Sequence, residues 1–330
     1  MSNKNKSVFI TGANGGLGKE TCKWLVKDGY GHIFMACRTE AKARQAREEV
    51  LQANQDTTIA AAGGFDMNNL ASIEDAVAAI PRDQKFDVLF LQAGGAIFDS
   101  DYQTVQVNGR SFEKTVFQNV LGGHATLVFL RKYDLLAPGA RVVVAGGEGA
   151  RGIDGLIECP NFASPKALRQ YVTGDFSGAK AYNAMNGLGV SKFLSALWTL
   201  KLAKLEGHGL SVIWFSPGLT AGTQGLSGMS SPLQRWFMEN IGFPLMKLLG
   251  RAQGAREGAR KYADCIGEKI GQNGDVIGAP KGVALGKLVD QIPMNPAFSN
   301  TALQDEFWAI ANEVCAWEPH HIATPAGLTP

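Results

Sequence analysis

The segment from Thr11 to Gly18 reads TGANGGLG and follows directly on the apolar run SVFI. Those residue types at that spacing can hold a dinucleotide. Gly12 permits a tight turn, Gly16 lets backbone N–H groups approach a pyrophosphate, and Gly18 lets a helix pack closely on a strand. Asn14 and Leu17 complete the turn. The helix opening there directs its unpaired N–H groups and the positive end of its dipole at the phosphates.

Such a loop needs a strand before it and a helix after it, and the chain supplies the pattern repeatedly. Short apolar runs (SVFI, HIFMA, TTIAAA, DVLFL, RVVVA, LSVIWF) alternate with amphipathic stretches such as LGKETCKWLVKDG and EAKARQAREEVLQA. Apolar runs without polar alternation mark strands buried on both faces, as in a parallel sheet. The expected fold is therefore α/β, a doubly wound parallel sheet of Rossmann type. Residues 1–225 form the expected nucleotide-binding core. After Pro217 the pattern changes, and residues 226–330 read as a C-terminal helical, substrate-covering extension of the same domain. It contains SPLQRWFMENIGFPLMKLLG, GAREGARKYADCI, a last strand in GDVIGAP, the helix ALQDEFWAIANEVCAW and a loose tail, EPHHIATPAGLTP.

TGxxxGxG on the first turn resembles the fingerprint of the short-chain dehydrogenases/reductases, and the resemblance extends over most of the chain. It implies cofactor contacts from Asp66 after the third strand, and from Gln92, Ala93 and Gly94 in DVLFLQAGG. It implies further contacts from Pro217, Gly218 and Thr223 in SPGLTAGT, with Thr223 at the nicotinamide amide. Asn119 in FQNVLGGH matches the family asparagine that helps hold a proton-relay water. The second strand ends in MACR, where Arg38 offers a guanidinium for a 2′-phosphate, so NADP(H) is the expected cofactor.

The proton relay departs from the family pattern. There a tyrosine donates the proton and a lysine four residues later, on the same helical face, lowers its pKa. Lys192 in VSKF has the family spacing to Pro217 and would also hold the nicotinamide ribose, but Leu188 stands four residues before it. The family serine position is Gly147. Tyr182 in GAKAY resembles the tyrosine of the light-dependent protochlorophyllide reductases, displaced to ten residues before Lys192. On one continuous helix the two would lie about 15 Å apart and out of register, so they could meet only if the segment NGLG breaks the helix. The expected catalytic set is Asn119, Tyr182 and Lys192. Glu148, His124 and Tyr171 are further titratable candidates, each with a structural alternative. HIFMACRTEAKA and DEFWAIANEVC also resemble protochlorophyllide and retinol-type reductases, but Phe193 and Leu194 stand where the former have a cysteine.

The 330 residues are 45% hydrophobic and 19% charged, with a net charge of +2. That balance gives no electrostatic footprint for nucleic acid. Five cysteines without CxxC spacing argue against zinc or a disulfide framework and suit a cytoplasmic protein. No apolar run is long enough to span a bilayer. Peripheral membrane contact through FPLMKLLG and homo-oligomerisation stay open. The expected function is an atypical NADPH-dependent oxidoreductase reducing a C=C or C=O bond of a bulky hydrophobic substrate. The alternatives are a non-catalytic NADP-binding regulatory or assembly subunit and a non-redox enzyme with structural NADP.

Overall fold

The computed structural model describes residues 3–52, 56–97, 101–174, 182–205, 209–221, 236, 240 and 242–317. The first half alternates strand and helix: β1 (Ser7–Thr11), α1 (Gly16–Lys27), β2 (His32–Ala36), α2 (Glu40–Leu51), β3 (Thr58–Ala62), α3 (Leu70–Ala78) and β4 (Phe86–Leu91). A hairpin, β5 (Thr104–Val107) and β6 (Arg110–Glu113), then leads into α4 (Lys114–Val116). A π-helical turn (Phe117–Leu121) joins α4 to α5 (Gly122–Lys132). Next come β7 (Leu136–Ala145), α6 (Pro165–Val172), α7 (Ala184–Lys204) and β8 (Ser211–Phe215). The described remainder holds α8 (Phe243–Leu248), α9 (Ala255–Ile266), β9 (Val276–Gly278), β10 (Val289–Asp290) and α10 (Thr301–Val314).

The large sheet runs β10-β9-β8-β7-β4-β1-β2-β3, parallel except for β10. All six apolar runs named above are strands of it, and GDVIGAP supplies β9. The hairpin β5–β6 and the antiparallel edge β10 are additions that the apolar pattern does not announce: TVQV and RSFE are half polar, and β10 has two residues.

Strand residues alternate between two cores. Phe9, Leu89, Val142, Val212 and Trp214 face the layer that includes residues of α3, α5, α7 and α10. Val8, Ile10, Val88, Phe90, Val143, Ile213 and Phe215 face the layer of α1, α2 and α9. Both layers are fully desolvated, which is why the strands read as unbroken apolar runs. The extension adds to the first core directly: Phe298, Leu303, Phe307 and Ile310 lie in the same cluster as Phe193 and Leu197. The tail 318–330 and most of SPLQRWFMEN fall outside the described residues.

NGLG does not break α7. The helix starts at Ala184, capped by the Asn183 side chain accepting from the Asn186 N–H, and runs unbroken through Gly187 and Gly189. Two interior glycines cost roughly 1 kcal/mol each relative to alanine, and here each permits a close contact. A Cβ on Gly189 would stand 2.4 Å from Ile157 Cγ2, and one on Gly187 would stand 2.3 Å from the Tyr182 hydroxyl oxygen. Tyr182 therefore sits just ahead of the helix, its ring laid back against the first turn.

Candidate active site

Residues at the C-terminal ends of β1, β4 and β7 and at the start of α1 line one cavity of about 670 Å³. Thr11 organises its floor: its hydroxyl oxygen accepts the N–H groups of Gln92 (2.9 Å) and Ala93 (3.0 Å), tying β1 to the turn after β4. Gly12 has φ +65°, and a Cβ there would lie 2.8 Å from Ala93 Cα, so the two turns touch backbone to backbone. The N terminus of α1 begins at Gly15 with no side-chain cap, leaving its first N–H groups for a ligand. A Cβ on Gly18 would fall 2.5 Å from Gln92 Oε1. That oxygen is buried and has no protein partner among the described residues, an acceptor that a ribose hydroxyl would satisfy. These features fit a nicotinamide dinucleotide.

Of the expected cofactor residues, Gly12, Asn14, Gly16, Leu17, Arg38, Gln92, Ala93, Gly94 and Lys192 all line the cavity. Gly18 packs beneath it. Arg38 and Asp66 face each other across 4.0 Å and are both well exposed, a pair worth little in itself that leaves the guanidinium open to an anion. Lys42, one turn into α2, lines the same end, a second cation that the strand-end motif does not reveal. Pro217 and Gly218 are not among the lining residues. Gly218 adopts φ +91°, and the Pro217 carbonyl accepts from Gln253 Nε2 (2.7 Å) and Lys261 Nζ (3.0 Å). Thr223 lies outside the described residues.

Asn119 is locked into the π-helical turn after α4. Its Nδ2 donates to the carbonyls of Gly95 (3.0 Å) and Thr115 (2.8 Å), and its Oδ1 accepts the Gly95 N–H (3.0 Å). It thus clamps the loop that carries Gly94, Gly95, Ala96 and Ile97 along the cavity wall. Lys114 and Gln118, on the same helical segment, line the wall beside it.

Lys192 lies on α7 with its Nζ donating to the Ala145 carbonyl at 2.8 Å. Burial pulls its pKa down to about 8. One turn earlier Leu188 also lines the cavity, so an apolar side chain occupies the place beside the lysine. Gly147, at the serine position, presents no side chain, and its Cβ position is 3.4 Å from Lys192 Cγ.

Tyr182 is not among the cavity-lining residues. Its hydroxyl donates to Glu113 Oε1 (3.1 Å) and hydrogen-bonds the Thr115 hydroxyl (2.9 Å), and its ring meets Tyr102 edge-on at 5.8 Å. Glu113 is buried, and desolvation raises its pKa. The other candidates are also engaged elsewhere. His124 is fully buried, accepting from Trp198 Nε1 at 3.1 Å and pairing with the Cys315 carbonyl at 2.8 Å, and burial lowers its pKa to about 4. Glu148 accepts from the Ser216 hydroxyl (2.8 Å) and the Ala279 N–H (3.2 Å). Tyr171 accepts the Tyr102 hydroxyl on its carbonyl and stacks edge-on with Phe162. Tyr262 on α9 lines the cavity instead, a residue that the amphipathic pattern of its helix marks only as core.

Residues 6–157 match the family model described as short chain dehydrogenase. The chain is 30% identical over 217 residues to retinol dehydrogenase 12 of Mus musculus, covering 65% of this chain and 61% of that protein. It is 27% identical over 222 residues to a short-chain dehydrogenase/reductase of Pestalotiopsis microspora, covering 66% of this chain and 71% of that one. To the chloroplastic protochlorophyllide reductase of Pisum sativum it is 30% identical over 194 residues, 53% of this chain and 47% of that one. Against the chloroplastic protochlorophyllide reductases of Pisum sativum, Daucus carota and Hordeum vulgare it thus spans 47%, 35% and 46% of their length. Among solved structures, a short-chain dehydrogenase/reductase from Mycobacterium ulcerans superposes with a TM-score of 0.58 at 18% identity, over 92% of this chain and 99% of that one. The 3-ketoacyl-(acyl-carrier-protein) reductase of Brucella melitensis, solved with NADH, has a TM-score of 0.52 at 19% identity, over 80% and 92%. No helix among the described residues is long and apolar enough to cross a membrane. With its glycine loop and strand order in place, the chain has the fold of the short-chain dehydrogenases/reductases and is similar to them in sequence, residues 6–157 matching their family model.

Proposed function

We propose that this protein is an NADPH-dependent oxidoreductase that reduces a C=O or conjugated C=C bond of a bulky, largely apolar substrate. The observation that carries the reading is one cavity lined both by Arg38 and Lys42, which follow β2, and by Lys192, held to Ala145 at the end of β7, with the glycine cradle after β1, a strand that lies between those two in the sheet. When bound, the nicotinamide supplies a hydride. The protein's own residues do the rest. The α1 N terminus and the loop after β1 hold the pyrophosphate. Arg38 and Lys42 hold the 2′-phosphate, a charge-assisted contact that a neutral ribose hydroxyl cannot match. Lys192 holds the nicotinamide ribose, and Asn119 fixes the wall against which the substrate packs. Residues 226–330 act as a substrate-covering extension of the same domain. Paired fluorescence titrations of NADPH and NADH test the reading: NADPH should bind tighter, and coincident curves would remove the NADP assignment.

A second reading is supported by Leu188, Gly147 and the engaged Tyr182 hydroxyl. In it the cavity binds NADP(H) without turnover, and the protein serves as a regulatory or assembly subunit. Multiple-turnover oxidation of NADPH by any carbonyl substrate excludes it.

A further inference from the structure

The cavity wall around Lys192 has an unusual chemical makeup. Leu188, Ala145, Gly146 and Lys192 line it together. Gly146 is held to glycine because a Cβ there would stand 2.6 Å from the Trp214 ring. Gly147 leaves the flank of the lysine stem bare. Leu188 can neither donate nor accept a proton. Tyr182 is bound to Glu113 and Thr115. The ammonium of Lys192 gives one hydrogen to Ala145 O at 2.8 Å, which fixes Nζ at the end of β7. Two N–H bonds remain for whatever enters.

We propose that Lys192 is itself the proton donor of this site, acting directly on the substrate where other arrangements would place a phenol between lysine and substrate. This rests on the reductase reading above. For a carbonyl substrate the step balances as follows. The hydride brings two electrons and forms the new C–H bond, the C=O π bond opens, and the oxygen takes a proton from Nζ to give an alcohol. The lysine is left as a neutral amine and recovers a proton from water once the alcohol departs. Burial supports the role, since a lysine titrating at about 8 is a far better acid near neutral pH than one at its ordinary value of 10.5.

The test begins with a readout other than turnover. Trinitrobenzenesulfonate reacts only with neutral amines, so the pH dependence of its labelling, mapped by peptide mass spectrometry, reports the titration of each lysine. Labelling of Lys192 should rise with a midpoint near 8 and be blocked by NADPH. A midpoint near 10.5, with NADPH protection intact, overturns the donor role while leaving the cofactor reading standing. Failure of NADPH to bind or protect overturns both. The second arm uses Lys192→Arg with NADPH and the bulky diketone 9,10-phenanthrenequinone. Arginine keeps the charge and hydrogen-bond donors for a ribose but does not give up a proton. NADPH affinity should therefore hold while turnover falls by about 10²–10⁴-fold, the contribution of a positioned general acid. Retained turnover would contradict the proposal. If the arginine variant does not fold, the labelling titration of the natural protein decides alone.

Discussion

Leu188 and Lys192 occupy one face of α7, a single helical turn apart, and both line the same cavity. That relationship defines the chemical problem of this protein: the lysine is in place, and the residue beside it has no proton to give.

Restoring a phenol at that place should be gainful. Leu188→Tyr puts a hydroxyl one turn from Lys192, whose charge favours the phenolate. With a carbonyl substrate, turnover should rise by about tenfold or more, within the range of general acid catalysis. Steady-state rates of the variant and the natural protein, compared across pH, check this.

Tyr182→Phe should act on stability and leave chemistry alone. The hydroxyl bridges Glu113 and Thr115 outside the cavity lining. Its removal should cost about 1–2 kcal/mol in urea unfolding, because a buried carboxyl loses its donor. NADPH affinity and turnover should stay as in the natural protein. A large fall in turnover at unchanged affinity would restore Tyr182 as the donor.

The two cations Arg38 and Lys42, which line the cavity together, should set cofactor choice. Arg38→Ala should weaken NADPH binding by about 10- to 150-fold, the worth of a charge-assisted phosphate contact of roughly 1.5–3 kcal/mol, with NADH affinity nearly unchanged. Adding Lys42→Ala should erase what preference remains. Fluorescence titration of both cofactors measures it.

Acid should destabilise the fold through His124. Its folded pKa of about 4 lies below the ordinary 6.5, so the unfolded chain binds more protons between those values and stability falls as pH drops through them. Between pH 7 and pH 5 this group alone should remove about 2 kcal/mol. His124→Gln should flatten that dependence in urea unfolding at the two pH values.

The fold was legible because its information is local. Strands buried on both faces must be apolar, and TGANGGLG needs its glycines where backbone meets backbone, at Gly12 against Ala93. The cavity lining was legible in part: Arg38 sits at a strand end, whereas Lys42 reaches the cavity by one turn of α2, a placement set by how that helix packs. Tyr182 was the hardest residue to place from spacing alone. The start of α7 depends on the Asn183 cap and on Gly187 admitting the ring, contacts that depend on tertiary packing. Tyr262 and Glu113 were not singled out for a similar reason. One looks like core and the other like a solvated carboxylate until the helices around them are assembled.

The measurement that bears most directly on the central claim is isotope transfer. Incubated with NADPH carrying deuterium at the transferable C4 position and with 9-anthraldehyde or another bulky conjugated carbonyl or enone that the protein turns over and whose product keeps the new C–H bond, the natural protein should place one deuterium on the reduced substrate carbon. The oxidised cofactor should appear in equal amount, and NADH should serve much less well. Tight NADPH binding with no deuterium in product, across such a panel, would contradict the account and leave the protein a binder of the cofactor.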